Sequence, residues 1–274
     1  MSIHIVTDST CDIPPELAER YRIHVVPSIL NVEGRSYRDG AEISRLEFYA
    51  RLPGLKSQPT TAAPASGEFE SLYRQLGEGE IISIHLAAQL SAMFNAARLG
   101  ADASGARVTL VDSGQVSMGL GWQVLAAAEA AAAGRPLAEV LATVESVRRR
   151  VRVFAVLDTL EYLRRSGRAS AVTAVFGQLL QIKPIVEVAE GKVLPVARLR
   201  THAKALEKLI EMVEALGPLE RLAVFHTTSP DEVRVLAGRL APRSAQPPLV
   251  GEITAVIGTH SGPGTLGVAG VRAL

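Results

Sequence analysis

The sequence predicts an α/β protein in two parts. Residues 1–150 read as an N-terminal three-layer α/β/α domain with a mostly parallel sheet, and residues 151–274 as a C-terminal α+β domain with a mixed sheet. Two observations predict this. Up to residue 150, short β-branched apolar runs alternate with helical patterns, as a parallel sheet covered on both faces requires. Beyond it, two strand-like runs flank Glu190-Gly191, a hairpin signature that implies antiparallel pairing.

Ile3-His4-Ile5-Val6 reads as a buried parallel strand, and Thr7-Asp8-Ser9-Thr10 as the turn at its carboxyl end. Open α/β sheets place their sites at such ends, so Asp8 and Ser9 are candidates, with Asp12 near the cap of a following helix. Ile23 to Pro27 predicts a second strand, residues 34–40 a polar loop, and Ser44-x-x-Glu47 a capping box before a short helix. The run from Pro59 to Gly67 is too rich in Pro, Thr, Ala and Ser for a helix interior or a central strand. It carries little charge and leads straight into a helix capped by Ser66 or Gly67, so it reads as a binding loop. Thr60 or Thr61 offers a hydroxyl there.

Glu80 to Ile84 predicts a third strand, followed by a helix beginning near Leu90-Ser91-Ala92. A serine at that point caps the helix, and the same free amides favour a bound anion. Arg107 to Val111 is a fourth strand, and Met118 to Ala133 and Pro136 to Arg150 are helices. In the second half, Val151 to Leu157 is a strand, and a short helix stops at the basic turn around Gly167. Arg168, just past that glycine and ahead of another helical stretch, is the arginine best placed to meet an anion. A hairpin over Ile182–Leu199, a helix at Thr201–Leu216, a strand at Leu219–Phe225 and a helix at Pro230–Leu240 follow. A strand over Val250–Ile257 comes last.

That last strand leads into Gly258-Thr259-His260-Ser261-Gly262-Pro263-Gly264-Thr265-Leu266-Gly267, which predicts a sharply turning loop with amides free to face a ligand. His260 is its one titratable group, with hydroxyls on both sides at Thr259 and Ser261. Residues 262–267 also spell G-x-G-x-x-G, but neither a following helix nor an acidic residue about 20 positions on is present. The dinucleotide reading fails on context.

Composition narrows the function further. Aromatic residues make up only 4% of the chain, and 29 basic residues against 28 acidic ones leave a net charge of +1, so no nucleic-acid footprint is visible. A single cysteine, Cys11, allows no intrachain disulfide and points to a reducing, cytoplasmic setting. No apolar run is long enough to span a bilayer, which leaves transient membrane contact open. There is no G-x-x-x-x-G-K-[ST] loop and no metal-ligand spacing, so neither a metal nor a cofactor is expected.

Taken in order, these segments resemble the DegV family of bacterial fatty-acid-binding proteins from end to end. The residues that carry the resemblance are Thr7-Asp8-Ser9-Thr10, Tyr37-x-Asp39-Gly40, Pro59-Thr60-Thr61, Gly67-Glu68-Phe69, Ile82 to Leu86, and Leu90-Ser91. Val111-Asp112-Ser113, Leu163 to Arg168, Ile182 to Ile185 and Gly258 to Gly264 complete it. The family's Thr-Ser-Gln-Pro-Ser motif falls on Thr61-Ala62-Ala63-Pro64-Ala65, which keeps only the threonine and the proline. Its Leu-Ser-Gly-Thr-Tyr falls on Leu90-Ser91-Ala92-Met93-Phe94, keeping the serine.

The resemblance implies one long-chain fatty acid in a tunnel between the two domains, its carboxylate held by Thr61 and Ser91. His260 and Arg168 are then expected at the mouth, where they could supply charge. Thr60, Ala92, Thr259, Ser261 and Gly262 are secondary contacts. It also implies that the chain is a carrier and not an enzyme, presenting the acid to an ATP-dependent fatty acid kinase for phospholipid synthesis. Two alternatives stand beside it: a lipid-responsive regulatory protein on the same fold, and a serine hydrolase pairing Ser91 or Ser261 with His260.

Overall fold

The computed structural model describes residues 2–168, Val172 and 182–274. The first sheet is wholly parallel, in the order β2-β1-β6-β7, from β1 (Ile3–Asp8), β2 (His24–Val26), β6 (Glu80–His85) and β7 (Arg107–Asp112). Helices α3 (Ser66–Leu76) and α4 (Met93–Ser104) cross in close contact because Gly100 has no side chain. A Cβ at that position would lie 2.5 Å from Phe69 Cβ and 2.8 Å from the Glu70 amide nitrogen. Backbone cannot yield as a side-chain tip can, so Gly100→Ala should destabilise the fold by about 1–3 kcal/mol. Chemical denaturation measures this, and a midpoint equal to wild type would refute the contact.

The second sheet is small and was not expected from the sequence. Residues 29–38 form a hairpin of β3 (Ile29–Val32) and β4 (Arg35–Arg38), where a polar loop is predicted over 34–40. Glu33 and Gly34 turn it at φ 48° and 81°, the left-handed pair that suits a two-residue hairpin. The free edge of β3 takes β5 (Thr60–Ala62), so the Pro/Thr/Ala run does contain a strand, a three-residue one at a sheet edge. Ser44 caps α2 (Arg45–Arg51) as the capping box predicts, accepting from the Glu47 amide at 3.1 Å. α3 starts at Ser66 after Ala65, without the expected side-chain cap.

The third sheet takes its six strands from beyond residue 150: β8 (Val151–Val156), β9 (Lys183–Ala189), β10 (Lys192–Leu199), β11 (Leu219–His226), β12 (Leu249–Glu252) and β13 (Leu266–Arg272). Their order is β10-β9-β8-β13-β11-β12, and only β11 and β12 run parallel. The predicted hairpin at Glu190-Gly191 is present. β13 was not predicted, yet it lies between β8 and β11 inside the sheet. Phe154, Val156, Leu222, Val224 and Val268 point to one face, where α8 (His202–Glu214) and α9 (Pro230–Leu240) cover them.

The opposite face meets α5 (Met118–Ala132), which buries twelve of its fifteen residues. A helix apolar all round belongs between layers, and α5 packs on β1 as well as on β8 and β13. Trp122 Nε1 donates to the Ala269 carbonyl at 3.0 Å across that junction. α6 (Leu137–Arg150) lies outside α5, α1 (Pro15–Arg20) precedes β2, and α7 (Glu161–Ser166) follows β8.

One prediction near the end of the chain is overturned. Ala255–Ser261 is a helix, α10, and not the end of a strand, so Thr259, His260 and Ser261 lie on helical backbone. Only the residues from Gly262 to Thr265 turn, with Gly262 and Gly264 at φ 82° and 73°. The β-branched alternation of residues 253–257 misleads because tertiary contacts decide the local structure. Ala255 and Val256 pack into the core of the small sheet with Leu30, Phe48 and Tyr49. The amide of the capping residue Thr254 donates to Asp12 Oδ1 at 2.8 Å. Asp12 itself does not cap α1. It sits in left-handed backbone at φ 52° and also accepts from Ser117 Oγ at 2.5 Å.

Candidate functional site

An apolar cavity of about 540 Å³ opens at the carboxyl ends of the parallel strands, where such sheets leave a crevice. Thr10 after β1, Ser28 after β2 and Leu86 after β6 line it from the first sheet. Val153, Ala155 and Leu157 supply a wall from the third, and β5, α4 and α10 close it from above. Its volume falls inside the range of roughly 300–1,000 Å³ typical of small-molecule pockets.

Several polar groups line this cavity, and two of them touch. Thr61 Oγ1 lies 2.9 Å from His260 Nε2, joining two residues 199 positions apart in the sequence. Ser91 Oγ accepts from the Met93 amide at 3.2 Å, which leaves its own proton free to donate. Ser261 Oγ and His260 Nδ1 are buried and have no hydrogen-bond partner among the described residues. Unpaired buried polar atoms are rare in folded proteins, and a missing ligand is one physical reason for them. Burial pushes the His260 pKa down to about 4, and the nearby Arg168 charge lowers it further in the same direction. The ring is therefore neutral at physiological pH and supplies one N–H, not the full charge expected from the sequence.

Thr61, Ser91, Ala92, Arg168, His260 and Ser261 all line the cavity. Thr60, Thr259 and Gly262 do not. Thr60 is exposed, with its hydroxyl 3.5 Å from Asn31 Nδ2, because successive residues of β5 face opposite ways. Thr259 is fully buried and donates to the Ala255 carbonyl within its own helix. Gly262 caps that helix, packed against the ring of Tyr162. Asp8 and Ser9 also stay outside. Asp8 holds Thr10, His85 and the Leu86 amide, and Ser9 donates to Asp39 at 2.7 Å. Thr10 is the residue of that turn which reaches the cavity, and the sequence reading passed over it.

Arg168 is exposed and donates to the Ser166 carbonyl at 2.6 Å. It borders both the cavity and an open groove of about 780 Å³, which share Leu90, Ser91, Ala92, Asn95 and Val193 as well. The helical stretch expected after Arg168 lies outside the described residues. Among those described, no group of three His, Cys, Asp or Glu side chains is placed to hold a metal ion, and no helix is long and apolar enough to cross a membrane.

The arrangement does not assemble a hydrolase. His260 Nε2 faces Thr61, not Ser91 or Ser261, and among the described residues no carboxylate pairs with Nδ1 to orient the ring. A second array, Asp8–His85–Ser83, has the right residue types at 2.9 and 2.7 Å. All three side chains are fully buried and Tyr73 seals Ser83, so no substrate reaches it.

Fold and cavity thus define an α/β protein with a largely apolar chamber and a few buried polar groups in its wall. Residues 2–273 match the DegV family model, described as an uncharacterised protein family. A DegV domain-containing protein of Deinococcus radiodurans is 38% identical over 98% of both chains. The fatty-acid-binding DegV family protein of Thermus thermophilus superposes with a TM-score of 0.92 at 34% identity, covering 100% of both chains. DegV of Bacillus subtilis, a fatty acid binding protein, gives 0.90 at 30% identity with the same coverage. The chain belongs to the DegV family.

Proposed function

We propose that this protein binds one long-chain fatty acid in the 540 Å³ cavity, with Thr61 and Ser91 donating to the carboxylate. The observation that carries the reading is a largely apolar chamber lined by Thr61, Ser91, His260 and Ser261, with two buried polar atoms that have no partner among the described residues. A buried carboxylate is costly unless it is hydrogen-bonded, and the hydroxyls of Thr61, Ser91 and Ser261 are donors in the cavity wall. Each buried methylene adds roughly 0.8 kcal/mol, so the tail dominates affinity while the head sets orientation. The fatty acids bound by the relatives from Thermus thermophilus and Bacillus subtilis support the same ligand class.

The chain then acts as a carrier of two domains, 1–150 and 151–274, that hold the acid between them. It works in the cytoplasm and offers the carboxylate to an ATP-dependent fatty acid kinase that feeds phospholipid synthesis. The exposed Arg168 stands where the cavity meets the open groove, a position suited to a developing phosphate. No cofactor of its own is needed for this role, and the sequence has no phosphate-binding loop for ATP.

Thr61→Ala and Ser91→Ala should each weaken binding by about 1–3 kcal/mol without abolishing it. Lipid extraction and native mass spectrometry would read this out, with the exposed Arg149→Ala as control. Wild-type protein that carries no lipid and takes up no added palmitate or oleate would overturn the reading.

A further inference from the structure

The third sheet forms the floor of the cavity, and its strand register shows which side chains stand side by side on it. Directly opposed residues of antiparallel strands share a face. One row across the floor runs Val186, Ala155, Gly267, Phe225. The next runs Val188, Val153, Ala269, Ala223. Val186, Ala155, Phe225, Val188 and Val153 all line the cavity.

Gly267 leaves a gap in the first row, and the Phe225 ring lies over it. A Cβ at 267 would fall 2.0 Å from Phe225 Cε2 and 2.6 Å from Cδ2. The ring therefore folds down over Gly267 and stands as a bank beside Ala155, which lines the cavity while Gly267 lies beneath the ring. In the second row Val153 packs tightly on α5, where a Cβ at Gly119 would lie 2.5 Å from Val153 Cγ2, so α5 walls the floor there.

We propose that Gly267 and Phe225 together select which acyl chains the cavity accepts, the glycine keeping the ring down so that the chain can run along the floor towards Val153. This assignment rests on the fatty-acid reading above and adds a specificity determinant to it. A methyl group at position 267 has one direction in which to push the ring, away from the sheet and into the cavity. The chain then loses floor at its tail end and keeps its headgroup contacts, so short acids are spared and long ones excluded. Trimming the ring has the opposite effect.

The test uses the full chain, stripped of lipid and offered an equimolar mixture of saturated acids from laurate to stearate, with bound acids measured by mass spectrometry after extraction. Gly267→Ala should lower the bound stearate-to-laurate ratio about tenfold, the factor expected from roughly two lost buried methylenes. Phe225→Leu should raise that ratio. In the Phe225→Leu background the Gly267→Ala change should have little further effect, because the methyl group then meets no ring. A folded Gly267→Ala protein with the wild-type profile would overturn the assignment, as would the same tenfold shift in both backgrounds. Should Gly267→Ala fail to fold, Phe225→Leu decides alone, and an unchanged ratio counts against the proposal. Wild-type protein that takes up no acid of any length would instead remove the fatty-acid reading beneath it.

Discussion

In the proposed role of presenting the acid to a kinase, His260→Ala should lower acyl-phosphate formation by about a hundredfold to a thousandfold while reducing lipid occupancy only a few-fold. The expectation follows from the 2.9 Å contact between His260 Nε2 and Thr61 Oγ1. In the neutral tautomer that carries its proton on Nε2, the ring donates to the threonine oxygen, and the threonine proton is then directed at the ligand. His260 in this arrangement positions the donor. Without it the Thr61 hydroxyl rotates freely, and the carboxylate loses its fixed angle before it loses its binding energy, most of which comes from the tail. Occupancy by mass spectrometry and turnover with kinase and ATP form the paired measurement. A loss of lipid in proportion to activity would make His260 a headgroup ligand in its own right. The sequence alone suggested a more distant station for this histidine, at the mouth.

Stability should change little between pH 4 and 6 from two groups whose contributions oppose each other there. Burial pushes the Asp39 carboxyl up to about 6, and the Ser9 hydrogen bond and Arg45 offset this only partly. The folded state then keeps a proton that the unfolded chain releases near its ordinary value of 3.8, so stability falls as pH rises through this window. His260 behaves in the opposite sense. Its folded value of about 4 lies below the ordinary 6.5, the unfolded chain binds the extra proton, and stability rises with pH over the same range. Each effect amounts to about 3 kcal/mol when complete. Asp39→Asn should therefore expose a rising profile, and His260→Gln a falling one. Denaturation midpoints at pH 4, 5, 6 and 7.5 would show both. Parallel profiles for the two variants would contradict the opposition.

How much of this was legible in the sequence depends on the range of the interactions involved. The four parallel strands and the hairpin at Glu190-Gly191 announce themselves through local pattern and turn chemistry. The Glu33-Gly34 hairpin carries a similar signal, an apolar Ile29-Leu30-Asn31-Val32 run before a glycine, but the polar residues around it read as loop. α10 is not legible locally. Its β-branched residues favour a strand, and Asp12, more than 240 positions earlier, fixes its start by accepting from the amide of the capping residue Thr254. Short motifs mark Thr61 and Ser91, and both lie in the cavity wall. The contact of Thr61 with His260 is not legible, since nothing in either segment encodes the distance between them.

The place of β13 has a consequence for the order in which the molecule can be assembled. It follows every other strand in the chain, yet β8 and β11 meet only through it. Until residues 266–272 are available, β8 with its hairpin and β11 with β12 are two separate fragments, and the surface beneath the ligand does not exist. Contacts spanning more than a hundred residues, such as Val271 with Val151, close late and slowly. A nascent chain thus exposes the facing sides of α5 and the unfinished sheet for most of its synthesis, the interval in which apolar surface invites misassembly. Completion of the cavity floor is deferred to the last stage of folding, so a chain able to hold a ligand there is also a finished one.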